Sequence, residues 1–220
     1  MAQPVTLPEP VRPAITWLAQ APEVGVGRLL SALDLARPRL LYATFIDDVL
    51  NQMNVTQPVR QQWANVIEAL LSLSTGREYL GWAFTDFADG VAGSFDIQLE
   101  ENGRARIARI LREALSKPTL IITAKAWGLY TSAERNYGSA KVITDMRPVF
   151  VEAIESPAAW LIVHTLQITF QSEQRGHEFQ LAMDDRDLVQ LQDTLARAQT
   201  KSASLRDQAE RLNLSVLSTD

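Results

Sequence analysis

Cysteine is missing from the chain altogether, which removes disulfides, thiolate zinc sites and cysteine nucleophiles from consideration. Histidine is scarce, with His164 and His177 the two examples in 220 residues. Long apolar runs are missing as well. None reaches the roughly 18–20 residues that span a bilayer, so membrane insertion is not expected. Lysine and arginine form no block, and the net charge is −5. Nucleic acid is therefore not expected as a partner, because phosphate binding needs clustered cations. The glycines fall into no Gly-x-Gly-x-x-Gly or Walker spacing, and no serine sits in a Gly-x-Ser-x-Gly elbow, so no cofactor is implied. Met1 to Pro13 is rich in proline and carries neither a basic segment nor an apolar one of secretory type; a cytoplasmic location is expected.

What is present suits a folded protein. Apolar residues make up 46% and charged residues 21%, and the length allows one large domain or two small ones. Residues 1–12 read as a Pro-rich tail. Helical spacing follows from Pro13 to Gln20, from Val24 to Ala36 and from Arg39 to Met53, with Pro38 suited to a first turn. The next helix has Thr56 as a cap, Pro58 in its first turn and Gly76 at its end. Glu78 to Val91 reads as one aromatic-rich helix, and Arg104 to Lys117 and Thr119 to Asn136 as two more. Asn136 to Ser139 is the expected boundary. The helical domain is thus placed at 13–136.

Beyond the boundary the period changes from helical to two. In Ala158 to Phe170 one face carries Trp160, Ile162, His164, Leu166, Ile168 and Phe170. The other carries Leu161 and Val163, then Thr165, Gln167 and Thr169. The first half is apolar on both faces, as for a strand passing from a covered region to an open one. A polar turn and the alternating His177, Phe179, Leu181 and Met183 complete a hairpin. Asp184 is placed to cap a long helix, with Asp185 and Asp187 in the first turn. Leu188, Leu191, Leu195, Ala198, Ser202, Leu205, Ala209 and Leu212 then repeat at heptad spacing. Either this seam lies across its own sheet or part of it meets another chain. The fold class expected is α+β: an N-terminal helical bundle, then a small antiparallel sheet with a long terminal amphipathic helix at 140–213, and a tail at 214–220.

Chemistry is hard to find. A metal site from His164, His177 and Asp145 or Glu178 is weighed against a satisfied core histidine at 164 and a solvated one at 177, and the second is preferred. Asp47-Asp48 and Asp184-Asp185 are adjacent on helices, point about 100° apart, and do not converge. Asp145 and Arg147, two apart, read as a structural ion pair at a sheet edge.

The order Asp145-Met146-Arg147 in a first strand, Pro157 before a long apolar strand, Glu178-Phe179 opening a return strand, then an acidic cap and a leucine-rich helix resembles the COMM domain. Taken whole, the chain is similar to a bacterial family of unknown function that shares a Thr-Asp-Met-Arg-Pro-Val-Phe-like phrase and a COMM-like ending. The tryptophan usual near the first-strand arginine of the eukaryotic domain is replaced here by Met146. The resemblance implies obligate pairing of two such modules, as a homodimer or with a paralogous COMM-like protein, and a scaffold role towards a further protein partner. The expected dimer interface is Trp160, Ile162, Leu166, Ile168, Phe179 and Leu181 on the sheet, with Leu188, Leu191, Leu195 and Leu205 on the helix. No catalytic residue is expected. The alternative is a small-molecule-sensing regulatory domain, its pocket among Tyr79, Trp82, Phe84, Phe87 and Trp127. A hydrolase or metal enzyme ranks third.

Overall fold

The computed structural model describes residues 5–94, 97, 99–151, 156–172 and 175–217. They divide into two compact units, the first reaching Tyr130 and the second spanning Thr131–Val216. The fold is α+β, as expected. In the first unit are α1 (Val11–Gln20), α2 (Glu23–Leu35), α3 (Tyr42–Met53), α4 (Arg60–Leu80), α5 (Phe84–Ala92), α6 (Glu101–Leu115) and α7 (Pro118–Thr131). The second holds β1 (Asn136–Val149), β2 (Ala159–Ser172), β3 (Arg175–Met183) and α8 (Asp185–Arg211).

The helices of the first unit form because each turns a stripe of aliphatic side chains inward at three- and four-residue spacing. Leu18 of α1, Leu29 and Leu33 of α2, Phe45 of α3, Ile67 and Leu70 of α4, Phe87 of α5 and Ile107 and Leu111 of α6 meet in one hydrophobic core. Arg106 of α6 ties this bundle at a helix end. Its guanidinium donates to the carbonyls of Ala19 and Ala21, where α1 stops without a basic residue of its own. Glu23, in the first turn of α2, accepts from Arg106 and Arg109, and those two hydrogen bonds hold its carboxyl below the usual carboxylate range.

Several boundaries differ from the sequence reading, each for a local reason. The tail ends earlier than expected. Leu7 is buried in the core, Val5 N–H donates to the Gly90 carbonyl (3.2 Å), and Val11 already belongs to α1. Residues 1–4 lie outside the described residues. Pro38 is not in a helix, because Arg39 N–H is held by Thr123 Oγ1 (3.2 Å) and α3 starts only at Tyr42. Thr56 does not cap α4, whose first residue is Arg60. Gly76 does not end it; the helix continues to Leu80 and stops at Gly81, whose φ of 67° is the left-handed cap. That same turn splits the single aromatic helix expected over Glu78 to Val91. Asn136 to Ser139 is not a linker but the start of β1, with a register shift between Tyr137 and Ser139.

At Gly25 helix α2 approaches α4 closely. A Cβ there would lie 2.6 Å from Cζ2 of Trp63, which is buried and packed edge-on to Trp17 at 4.9 Å. Gly25→Ala is therefore expected to destabilise the helical unit by about 1–3 kcal/mol, the usual cost of overpacking. A thermal melt followed by tryptophan fluorescence checks this.

Candidate interaction surface

The second unit is a meander in the order β1-β2-β3, antiparallel throughout. Opposed residues share a face, so the register sorts the side chains. One face collects Trp160, Ile162, His164, Leu166, Ile168 and Phe170 of β2. Opposite them on that face stand Val142, Thr144, Met146 and Pro148 of β1, and Phe179, Leu181 and Met183 of β3. The reverse face is mixed, with Lys141, Ile143, Asp145 and Arg147 of β1, Leu161, Val163, Thr165, Gln167 and Thr169 of β2 and Glu178 and Gln180 of β3. There Gln180 Nε2 donates to Glu178 (3.1 Å), and hydrogen bonds from Gln180 and Gln167 hold Glu178 below its ordinary range.

The helix α8 leaves this sheet through two polar devices. Asp184 accepts from the backbone N–H of Arg186 (2.8 Å) and Asp187 (2.9 Å), and Asp187 accepts from Asp184 N–H (3.1 Å). The backbone donors of Asp187 and Arg186 keep the Asp184 carboxyl below the usual range. His164, buried at 8% exposure, supplies the second device. Its Nε2 lies 2.9 Å from Asp185 Oδ1, and its Nδ1 lies 2.8 Å from Thr144 Oγ1. A carboxylate only accepts, so in the neutral ring Nε2–H donates to Asp185 and Nδ1 accepts the Thr144 hydroxyl. The imidazole therefore joins β1, β2 and the first turn of α8. The preferred reading of His164 as a satisfied core histidine holds.

Burial in this unit is very thin. Among its described residues, only His164 and Leu166 are buried. The helix α8 runs for 27 residues, about 40 Å, and buries none of them. Its leucines are on the outside: Leu195, Leu205 and Leu212 are each more than half exposed, while Leu188 and Leu191 are partly covered. The reading of α8 as a helix lying across its own sheet fails on this point. Compared with protein-family models and with curated proteins, the chain matches none.

Most of the expected interface residues lie on surfaces open to solvent. Trp160, Ile162, Phe179 and Leu181 are exposed on one sheet face, with Ile168 half-buried beside them. Leu166 is a correction: at 8% exposure it is already covered within its own unit and has little left to offer a partner. The direction along β2 is a second correction. The half that is apolar on both faces was expected to be covered, yet Trp160 (56%), Leu161 (54%) and Ile162 (53%) are the open part. The reason is register, because β3 pairs with β2 only from His164 to Ser172. Met146 and Val142 also belong to this face, and the alternation with Lys141, Asp145 and Arg147 was the signal for them. Asp145 and Arg147 share the reverse face, both exposed. Among the described residues no ion pair joins them, a third correction.

The two histidines do not converge. His164 stands opposite Met183 and His177 opposite Phe170, six residues apart along β2, or roughly 20 Å. Asp145 and Glu178 project from the other face. Among the described residues, no group of three or more His, Asp or Glu side chains is placed to hold a metal ion. No described helix is long and apolar enough to cross a membrane.

The aromatic residues expected to line a pocket in the helical unit are dispersed. Phe87 is in the core, Trp82 and Phe84 pack half-buried against it, and Arg77 covers Phe84 at 4.0 Å. Trp127 instead leans on Tyr42 and Tyr130. Tyr79 lines a cleft of about 390 Å³ between α4 and α7, and the other four are not among the residues that line it. Ser74, Thr75, Ala124 and Gly128 line it, and the Glu78–Lys125 ion pair (3.0 Å) adjoins it.

Proposed function

We propose that this chain is a non-enzymatic oligomerisation and scaffold protein that dimerises through its C-terminal unit and presents its helical unit to a further protein. One observation carries the reading: among the described residues of the three-stranded sheet and its 27-residue helix, only His164 and Leu166 are buried. A sheet with one apolar face must cover it, and a small unit gains its stability from burial it cannot supply alone. The partner is a second copy or a paralogous COMM-like chain. That agrees with the pairing which the likeness to the COMM domain implies, since an exposed sheet face and an unpartnered leucine seam are the two halves of such an exchange. A specific pairing buries on the order of 1,200–2,000 Å², a size the sheet face and α8 together can reach. The reading places the protein in the cytoplasm.

Light scattering across a dilution series tests the proposal. A mass of twice 24.5 kDa that survives dilution is expected; a monomer with its fold intact would refute it. That second outcome would favour the alternative, small-molecule sensing, for which the cleft between α4 and α7 is the one supporting observation.

A further inference from the structure

The two long edges of the sheet are guarded. β1 carries Lys141, Asp145, Arg147 and Pro148, and charges and proline on an edge strand discourage pairing with another chain. β3 carries the polar Glu178 and Gln180. A third edge exists because β3 stops opposite His164 while β2 continues back to Ala159. Along that stretch Ala159-Trp160-Leu161-Ile162-Val163 has β1 on one side and, among the described residues, no strand on the other. It holds no charge and no proline. Its three central side chains are all more than half exposed, Trp160 and Ile162 on one face and Leu161 on the other. A bare, uncharged β edge of this composition is a pairing template that natural sheets do not leave open.

We infer that this edge pairs antiparallel with the same edge of a second copy, around a two-fold axis beside Leu161, so that the two sheets become one. The inference rests on the dimer reading and adds to it the element that joins the copies. An occupant must satisfy a row of backbone groups and cover apolar side chains on both faces at once, which a strand does and a flat surface does not. The edge itself meets that description. In the two-fold register Trp160 faces Ile162 of the other copy, twice, on one side of the sheet, and Leu161 faces Leu161 on the other. Aromatic–β-branched pairs are among the favourable cross-strand neighbours, and no like charges are opposed within the stretch.

A charge exchange at Leu161 tests this without touching the face that carries Trp160 and Ile162. Leu161→Lys alone and Leu161→Glu alone each place like charges together at the axis. Each is expected to raise the dimer dissociation constant by about 100-fold. Mixed in equal amounts, the two variants are expected to recover association as a heterodimer, read by light scattering and by mass spectrometry of the intact complex. Circular dichroism checks the fold, which an exposed position should leave unchanged. If either variant alone dimerises like the wild type, or the mixture does not recover, the edge pairing is overturned while the dimer reading stands. A wild-type chain that is monomeric overturns both.

Discussion

Trp160→Ser combined with Ile162→Ser is expected to turn the proposed dimer into a folded monomer. Both side chains are more than half exposed on the apolar sheet face, so the protomer loses little when they are shortened. A central aromatic or aliphatic anchor costs about 2 kcal/mol or more when truncated at an interface. Two of them correspond to a rise of roughly a thousandfold in the dissociation constant. Each residue also occurs twice in a symmetric pair, which makes that figure a lower bound. Light scattering at micromolar concentration reads the mass, and circular dichroism verifies that helix and strand content are kept. The contrast to set beside it is Leu166→Ala. Leu166 is buried within its own unit, so its loss should lower the melting temperature of that unit before it changes the mass. Equal effects of the two changes on association would mean that the sheet face is not the contact.

The architecture was readable in the sequence wherever one face of an element is buried and the other is not. Apolar residues at helical spacing mark the helices of the first unit in the sequence, and the same residues, such as Phe45, Val49, Ile67 and Leu70, form the core. Helix ends were less legible, because they depend on contacts made far along the chain. Arg39 is held by Thr123, 84 residues away, and nothing near Pro38 signals that the helix must wait until Tyr42. Gly76 and Gly81 are both reasonable stops by residue type, and only the second adopts the left-handed conformation. In the sheet, the period of two assigns Trp160 to Phe170 of β2 to their faces. Gln171 to Gly176, polar and turn-like by composition, lies largely within the strands, since β2 runs to Ser172 and β3 starts at Arg175. The period could not say which end of β2 would be open, since that follows from where β3 runs out. The sequence marks His164 as a satisfied core histidine but does not mark its partners Thr144 and Asp185. They lie 20 and 21 residues away and meet only through the strand register and the cap of α8.

Those partners set the last large effect. His164→Leu keeps an apolar group of similar size in a buried position and removes both hydrogen bonds. A hydrogen bond to a charged group contributes about 1.5–3 kcal/mol and one between neutral groups about 1 kcal/mol. The first of these, to Asp185, is the one that fixes α8. The Asp184 capping box remains in the variant, so the helix itself should still form. What should be lost is its fixed departure from the sheet, seen as faster amide exchange in residues 183–190 with the helical unit unchanged. A double-mutant cycle of His164→Leu and Asp185→Ala isolates the pair, and a coupling of about 1–3 kcal/mol is expected. Asp185 is otherwise solvated, its side chain 87% exposed, so removing it alone leaves no buried charge to confuse the cycle. Coupling near zero would show that α8 is placed by something other than this imidazole. The same variants separate position from contact in the proposed dimer. Releasing α8 should weaken association without altering Trp160 or Ile162, whereas truncating those two should leave the amides around Asp185 as slow as in the wild type.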